Sequence, residues 1–229
     1  MTAFPPTLPA DLDDPDIIRE HDWRAFRALT HMSSHWNRPG WTDGRRSYHW
    51  LLDFAHVDAV RDLAERCQAQ LGDKAFDFAP LDSLHVTIGR IGFADELPQA
   101  TVLAVAQEAV LASIGRTPFQ LHVGPLAGSH GALRFSVTPW TPLFDLYDQL
   151  AVTTGTVLGM PAAMDRNAFR PHLSVAYANS NLPVASLMPT LERLRRLAPV
   201  ETGVASVALV LLRREGQQYR YESIIHFRG

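Results

Sequence analysis

The sequence predicts an α+β protein made of two related lobes, and three observations predict it. Stretches with helical periodicity alternate with short β-branched or aromatic runs, in the order β-α-β-α-β-β-α-β-α-β-β. Two of those runs repeat one pattern, Leu84-His85-Val86-Thr87-Ile88 and Pro171-His172-Leu173-Ser174-Val175. The two histidines are 87 residues apart, which gives each repeat its own β/α unit and points to an internal duplication.

Composition narrows the function classes. With 46% hydrophobic and 20% charged residues the chain can bury a true core. A net charge of −3 argues against a broad basic footprint for long nucleic acid, though not against a small site for a nucleotide or an RNA end. No apolar run reaches the ~18 residues of a membrane span. Met1–Pro6 lack a basic and apolar leader, and the single cysteine, Cys67, suits a reducing compartment. A cytoplasmic protein is expected.

Taken in order, residues 1–15 hold four prolines and an acidic cluster and read as a loosely ordered arm. A helix is expected over 16–32, with Ile17, Phe26 and Leu29 as its apolar points. Residues 35–46 contain Trp36, Arg38, Pro39, Gly40, Trp41, Gly44, Arg45 and Arg46 and read as a loop. Two readings of it stand side by side. It is a flap whose arginines pair with phosphate while its tryptophans stack on a base, or a surface loop whose tryptophans pack down as anchors. Residues 1–46 are taken as an N-terminal extension and 47–229 as the main domain.

A strand at 48–54 is followed by a helix at 56–71, whose Val60, Leu63, Cys67 and Leu71 share a face, so Cys67 reads as a small core residue. The first histidine strand, 84–93, precedes a helix at 98–114. Strands at 119–123 and 133–137 flank a glycine-rich stretch, 124–131, read as a turn because it lacks the lysine pattern of a phosphate loop. Gln120 and His122 share one strand face, Arg134 and Ser136 another; either face could line a cleft or meet solvent. Thr141-Pro142 opens a helix that Gly159 ends. The second histidine strand, 172–178, a helical region ending near 198, and strands at 204–212 and 219–227 complete the chain.

On a strand His85 and Thr87 share one face, and His172 and Ser174 repeat that placement. Histidine holds both protonation states near neutral pH. Two facing imidazoles can therefore divide a phosphodiester cleavage, one neutral and accepting a proton, the other protonated and donating one. Thr87 and Ser174 can hydrogen-bond the non-bridging phosphate oxygens. No His-Glu-x-x-His or paired-cysteine pattern calls for zinc, and no Gly-x-Ser-x-Gly elbow calls for a serine hydrolase.

The paired His-x-Thr/Ser strands resemble the 2H phosphoesterase superfamily, with the bacterial 2′-5′ RNA ligase group as the most similar branch. The resemblance covers residues 48 to the C-terminus. It implies a pseudo-twofold, bilobal fold with two mainly antiparallel sheets facing a central cleft and helices packed outside. It implies opening of a 2′,3′-cyclic phosphate on an RNA 3′ end or small nucleotide, with no cofactor and no metal. His85 would protonate the leaving 3′ oxygen, His172 would activate water, and Thr87 and Ser174 would hold the phosphate. That branch often carries an arginine after the second motif, where this chain has Tyr177 and Ala178. Arg45 and Arg46 are candidates to compensate, with Trp36, Trp41, His122 and Arg134 as further substrate contacts. A monomer is expected. The motifs read the phosphate alone, so a 2′-5′ linkage, an ADP-ribose cyclic phosphate, and a binder without turnover stay open.

Overall fold

The computed structural model describes residues 5, 7–37, 42–72, 74–114, 118–160, 165–203 and 206–228. The chain opens with helix α1 (Pro15–Arg27), a short strand β1 (His31–Met32) and strand β2 (Arg46–Asp53). Helix α2 (Asp58–Leu71), strand β3 (Phe76–Phe78), a single 3-10 turn (Leu81–Ser83) and strand β4 (His85–Phe93) follow. Then come α3 (Gln99–Leu111), β5 (Gln120–Gly128), β6 (Ala132–Thr138), α4 (Thr141–Leu158) and β7 (His172–Ala178). The chain closes with β8 (Leu182–Pro183), α5 (Val184–Leu194), β9 (Val200–Gly203), β10 (Ser206–Glu215) and β11 (Gln218–Arg228). None of the helices described is long and apolar enough to cross a membrane.

The strands follow the path β11-β10-β2-β4-β7-β6-β5-β9, with β3 also pairing against β7, and each pairing is antiparallel. The path divides at its centre. Between β4 and β7 the ladder consists of one residue pair, Val86 opposite Leu173, so the two histidine strands touch and then splay. The predicted α+β, two-lobed architecture is the one observed.

The two halves share one register. In the first, Asp53 lies opposite His85, Leu52 opposite Val86 and Leu51 opposite Thr87; Ile88 is then skipped and Trp50 meets Gly89. In the second, Ser136 lies opposite His172, Phe135 opposite Leu173 and Arg134 opposite Ser174; Val175 is then skipped and Leu133 meets Ala176. Each histidine strand therefore carries an extra residue directly after its hydroxyl residue. Such bulges bend and twist a strand, and in doing so re-aim the side chains beside them. The duplication expected from two short sequence patterns is thus written into the backbone.

Helices tie the halves together by crossing between them. α2 leaves the first half and packs on β7 of the second, where Gln68 Nε2 donates to the carbonyls of Ala79 and Val175 at 2.8 and 3.1 Å. α4 leaves the second half and packs on β4 of the first, and its Thr154 hydroxyl accepts from Trp50 Nε1 at 3.1 Å. Because the sheet is continuous through one residue pair only, these apolar seams carry the adhesion between lobes.

α1 lies across β5 and β6. Its N-cap Asp14 accepts from the backbone N–H of Asp16 and Ile17, and its buried stripe is Ile18, Asp22 and Phe26, spaced four apart. β6 is consequently buried along its whole length, on the Leu133, Phe135 and Val137 face and on the Arg134 and Ser136 face alike.

Several boundaries differ from the sequence expectation. The first helix stops at Arg27, since His31 and Met32 leave it to pair with Pro183 and Leu182. The N-terminal arm is packed: Arg170 donates to the carbonyls of Pro5 and Thr7, and Trp140 N–H donates to that of Leu12. The glycine-rich stretch is mostly strand, because β5 runs on to Gly128 and only 129–131 turn. The final hairpin is tighter than the gap between the expected strands at 204–212 and 219–227: Arg213, Arg214 and Glu215 pair as strand, and Gly216 at φ +56° sits in a two-residue loop between Glu215 and Gln218.

Candidate active site

The site is built on the bulged starts of β4 and β7. Val86 and Ile88, like Leu173 and Val175, are buried in the core, while His85, Thr87, His172 and Ser174 are half-buried on the alternate positions. Continuing the Val86–Leu173 register by one residue either way sets Ser174 across from His85 and Thr87 across from His172. The four predicted residues are therefore brought together as a diagonal pair of imidazoles and a diagonal pair of hydroxyls.

Each imidazole is fixed in the same way. His85 Nδ1 lies 2.7 Å from the carbonyl of Ser83, and His172 Nδ1 lies 2.7 Å from the carbonyl of Arg170. A carbonyl only accepts, so Nδ1 carries hydrogen on both rings and Nε2 is left as the reactive nitrogen. In the neutral form Nε2 takes a proton; in the cationic form it gives one.

The surroundings of the two rings differ. Burial pushes the pKa of both below the usual histidine value, and for His172 it falls to about 3. The Arg134 guanidinium adds to the depression at His172, while Asp22 opposes it. At His85 the Ser83 carbonyl and the Asp53 carboxylate oppose the effect of burial. The charged neighbours differ in sign: Arg134 presses His172 toward the neutral form, while Asp53 favours a proton on His85.

Sequence reasoning passes over three side chains here. Asp53 sits opposite His85 and accepts from the Tyr221 hydroxyl at 2.7 Å and from Ala55 N–H at 2.8 Å. Tyr221 also sets its ring edge against His85, with centroids 5.6 Å apart, and burial pushes its hydroxyl pKa up. Asp22, fully buried, accepts from Ser136 Oγ at 2.6 Å and from the Arg134 guanidinium at 3.3 and 3.5 Å. One signal points to it: Asp22 is an acid in the Ile18–Phe26 stripe, a place an apolar residue would ordinarily take.

The other predicted contacts lie elsewhere. Trp36 is buried, its Nε1 donates to Asp77 at 2.8 Å, and it packs against His35, Tyr177 and Tyr219. The anchor reading holds for it and the flap reading does not. Trp41 lies outside the described residues. Arg45 is paired with Glu96 at 2.7 Å and stacked 3.3 Å over Phe93. Arg46 begins β2 and Asp53, opposite His85, ends it, roughly 23 Å of strand apart. His122 faces Thr138 and Glu201, with β6 between it and the histidine strand. Arg134 does lie on the Ser174 face, but it is spent on Asp22 instead of being displayed to a substrate. Tyr177 takes the position after its bulge that Arg90 takes after the other, which leaves Arg90, exposed and 4.7 Å over Phe93, as the cation nearest that expectation. Among the described residues no three His, Cys, Asp or Glu side chains converge as metal ligands would.

A two-lobed antiparallel fold with a histidine and a hydroxyl from each lobe defines the 2H phosphoesterase class. The profile of the 2′-5′ RNA ligase superfamily matches residues 54–218, and the chain belongs to that superfamily. Among solved structures, TT0787 of Thermus thermophilus superposes with a TM-score of 0.56 at 18% identity, covering 80% of this chain and 97% of the other. E. coli LigT in apo form gives a TM-score of 0.56 at 15% identity over 81% of this chain and 98% of its own. LigT complexed with 3′-AMP gives 0.55 at 14% identity over 80% and 98%. No curated protein matches the sequence.

Proposed function

We propose that the protein is a metal-independent phosphodiesterase that opens 2′,3′-cyclic phosphates at RNA 3′ ends or on small nucleotides. His172 Nε2 takes a proton from water as the water oxygen bonds to phosphorus. The bond from phosphorus to the 3′ oxygen breaks, His85 Nε2–H protonates that oxygen, and a 2′-phosphate remains. Thr87 and Ser174 donate to the non-bridging oxygens as charge gathers there. The observation that carries this reading is the matched Nδ1 lock on two rings with unlike charged neighbours. The E. coli LigT complexes with 3′-AMP, NADP+ and ATP support a nucleotide as the ligand class. Cys67 is buried with its thiol pKa raised to about 12, so it takes no part in this chemistry.

The test is turnover of an oligonucleotide ending in a 2′,3′-cyclic phosphate, with EDTA present. His85→Ala and His172→Ala should each cost about 10²–10⁴-fold. kcat/KM should be bell-shaped in pH, with its maximum on the acid side of 6.5, because both free-enzyme values are lowered. Undiminished turnover in either alanine variant sinks the mechanism. A parallel panel of 2′-5′-linked dinucleotides and ADP-ribose cyclic phosphate separates the substrate classes.

A further inference from the structure

The two halves match in register but not in chemistry at the residue facing each histidine. Asp53 faces His85 in the first half, and Ser136 faces His172 in the second. A carboxylate is nonetheless present beside Ser136. It comes from Asp22 on α1, which accepts the Ser136 hydroxyl at 2.6 Å and is wholly removed from solvent.

We propose that Asp22 is a positioning residue for His172, and that the N-terminal helix supplies to the second half of the cleft the carboxylate that Asp53 supplies to the first. The proposal rests on the phosphodiesterase reading for its catalytic meaning, although its geometry stands by itself. Asp22 bears on the ring through its charge, and it holds Ser136, directly opposite His172, and Arg134, directly opposite Ser174. Arg134 and Asp22 are each at most 1% exposed, so neither charge is screened by water and each depends on the other.

The charged and titratable groups that bear on His172 come from three directions. Arg134 approaches from β6, Asp22 from α1 and His85 from β4, with the Arg170 carbonyl on Nδ1. Arg170 and Arg195 also feel the field of Asp22. Without Asp22, His172 would face Arg134 uncompensated, be a weaker base, and lose the hydrogen bond that sets the strand position opposite it. The halves are thereby made unequal. Asp53 accepts from two neutral donors and keeps its negative charge for His85, whereas Asp22 has its charge largely offset by Arg134.

The test is a histidine titration by NMR on the full-length protein, with the His172 signal assigned by its loss in His172→Ala. Removing the arginine alone, in Arg134→Met, should raise the His172 midpoint, because Asp22 then acts on it unopposed. Adding Asp22→Asn to that variant should lower the midpoint again by about one pH unit, a tenfold change in proton affinity. Equal midpoints in Arg134→Met and Asp22→Asn/Arg134→Met overturn the proposal and leave Asp22 a packing residue. Should the methionine variants fail to fold, the same comparison is made with Arg134→Gln and Asp22→Asn/Arg134→Gln. The readout needs no turnover. Wild-type protein inactive on every cyclic phosphate would end the phosphodiesterase reading while the titration still judged Asp22.

Discussion

The Tyr221 hydroxyl donates to Asp53 at 2.7 Å, and Asp53 stands directly across the β2–β4 ladder from His85. The last strand of the chain thus reaches over its own lobe to hold the carboxylate beside the first histidine. If His85 is the general acid, it must be protonated, and Asp53 is what opposes the loss of that proton. Asp53→Asn should lower the His85 pKa. The alkaline limb of kcat/KM should then move toward lower pH, with about a tenfold loss at neutral pH for each unit of movement. Tyr221→Phe removes a donor that partly satisfies the carboxylate, so it should move the same limb in the opposite direction. Opposite displacements in a pair of pH–rate profiles check both; limbs that stay put would show that neither group acts on His85.

The buried pair at the base of the other lobe gives a stability prediction. Arg134 and Asp22 are closed off from solvent and 3.3 Å apart. Removing one partner strands the other charge, at a typical cost of about 3–5 kcal/mol. Arg134→Met should be destabilised by that amount in urea denaturation. Asp22→Asn/Arg134→Met, which strands no charge, should recover most of it. Additive losses in the double variant would mean that the pair is worth no more than its two separate packing contributions.

The helix that brings Asp22 is seated on a glycine. A Cβ placed on Gly128 would overlap the ring of Phe26, which is buried in α1. Gly128→Ala should therefore cost about 1–3 kcal/mol by overpacking. Phe26→Leu alone should be destabilising, yet Phe26→Leu/Gly128→Ala should be less impaired than the sum of its parts. Denaturation of the four proteins in a double-mutant cycle measures that coupling, and its sign is the critical result.

The parts legible in the sequence are those where local pattern and tertiary demand agree. The two histidine strands read correctly because apolar Val86, Ile88, Leu173 and Val175 alternate with His85, Thr87, His172 and Ser174. The α4 boundaries read correctly because Thr141-Pro142 and Gly159 are strong start and stop signals, and Gly159 takes the left-handed conformation at φ +64°. β5 reads as shorter than it is because Gly124 and Pro125 look like a break, yet the strand passes through them as an irregularity opposite β6. Trp36, Arg45 and Arg134 resemble ligand contacts in isolation. Their partners Asp77, Glu96 and Asp22 lie 41, 51 and 112 residues away in sequence, and no local pattern shows that an intramolecular carboxylate has already claimed them. Tyr221 and Asp53, 168 residues apart, meet only because the sheet curls.

His172 also makes a prediction about acid stability. Its folded-state pKa is depressed to about 3, while in the unfolded chain it returns to the ordinary value near 6.5. Between those values the unfolded state binds the extra proton, so stability falls as pH drops from 6.5 toward 3 and is unaffected above 6.5. One such histidine contributes a slope of up to about 1.4 kcal/mol per pH unit. His49, whose pKa burial also depresses to about 3, contributes in the same window and with the same sign. The urea midpoint should therefore decline measurably between about pH 6 and about pH 4, the range in which both rings differ most from the unfolded chain. His172→Gln should flatten that decline by one proton's share even if it changes the absolute stability. An unchanged slope in the glutamine variant would mean that His172 is not held neutral in the folded protein, and the proton-accepting role assigned to it would fall with that result.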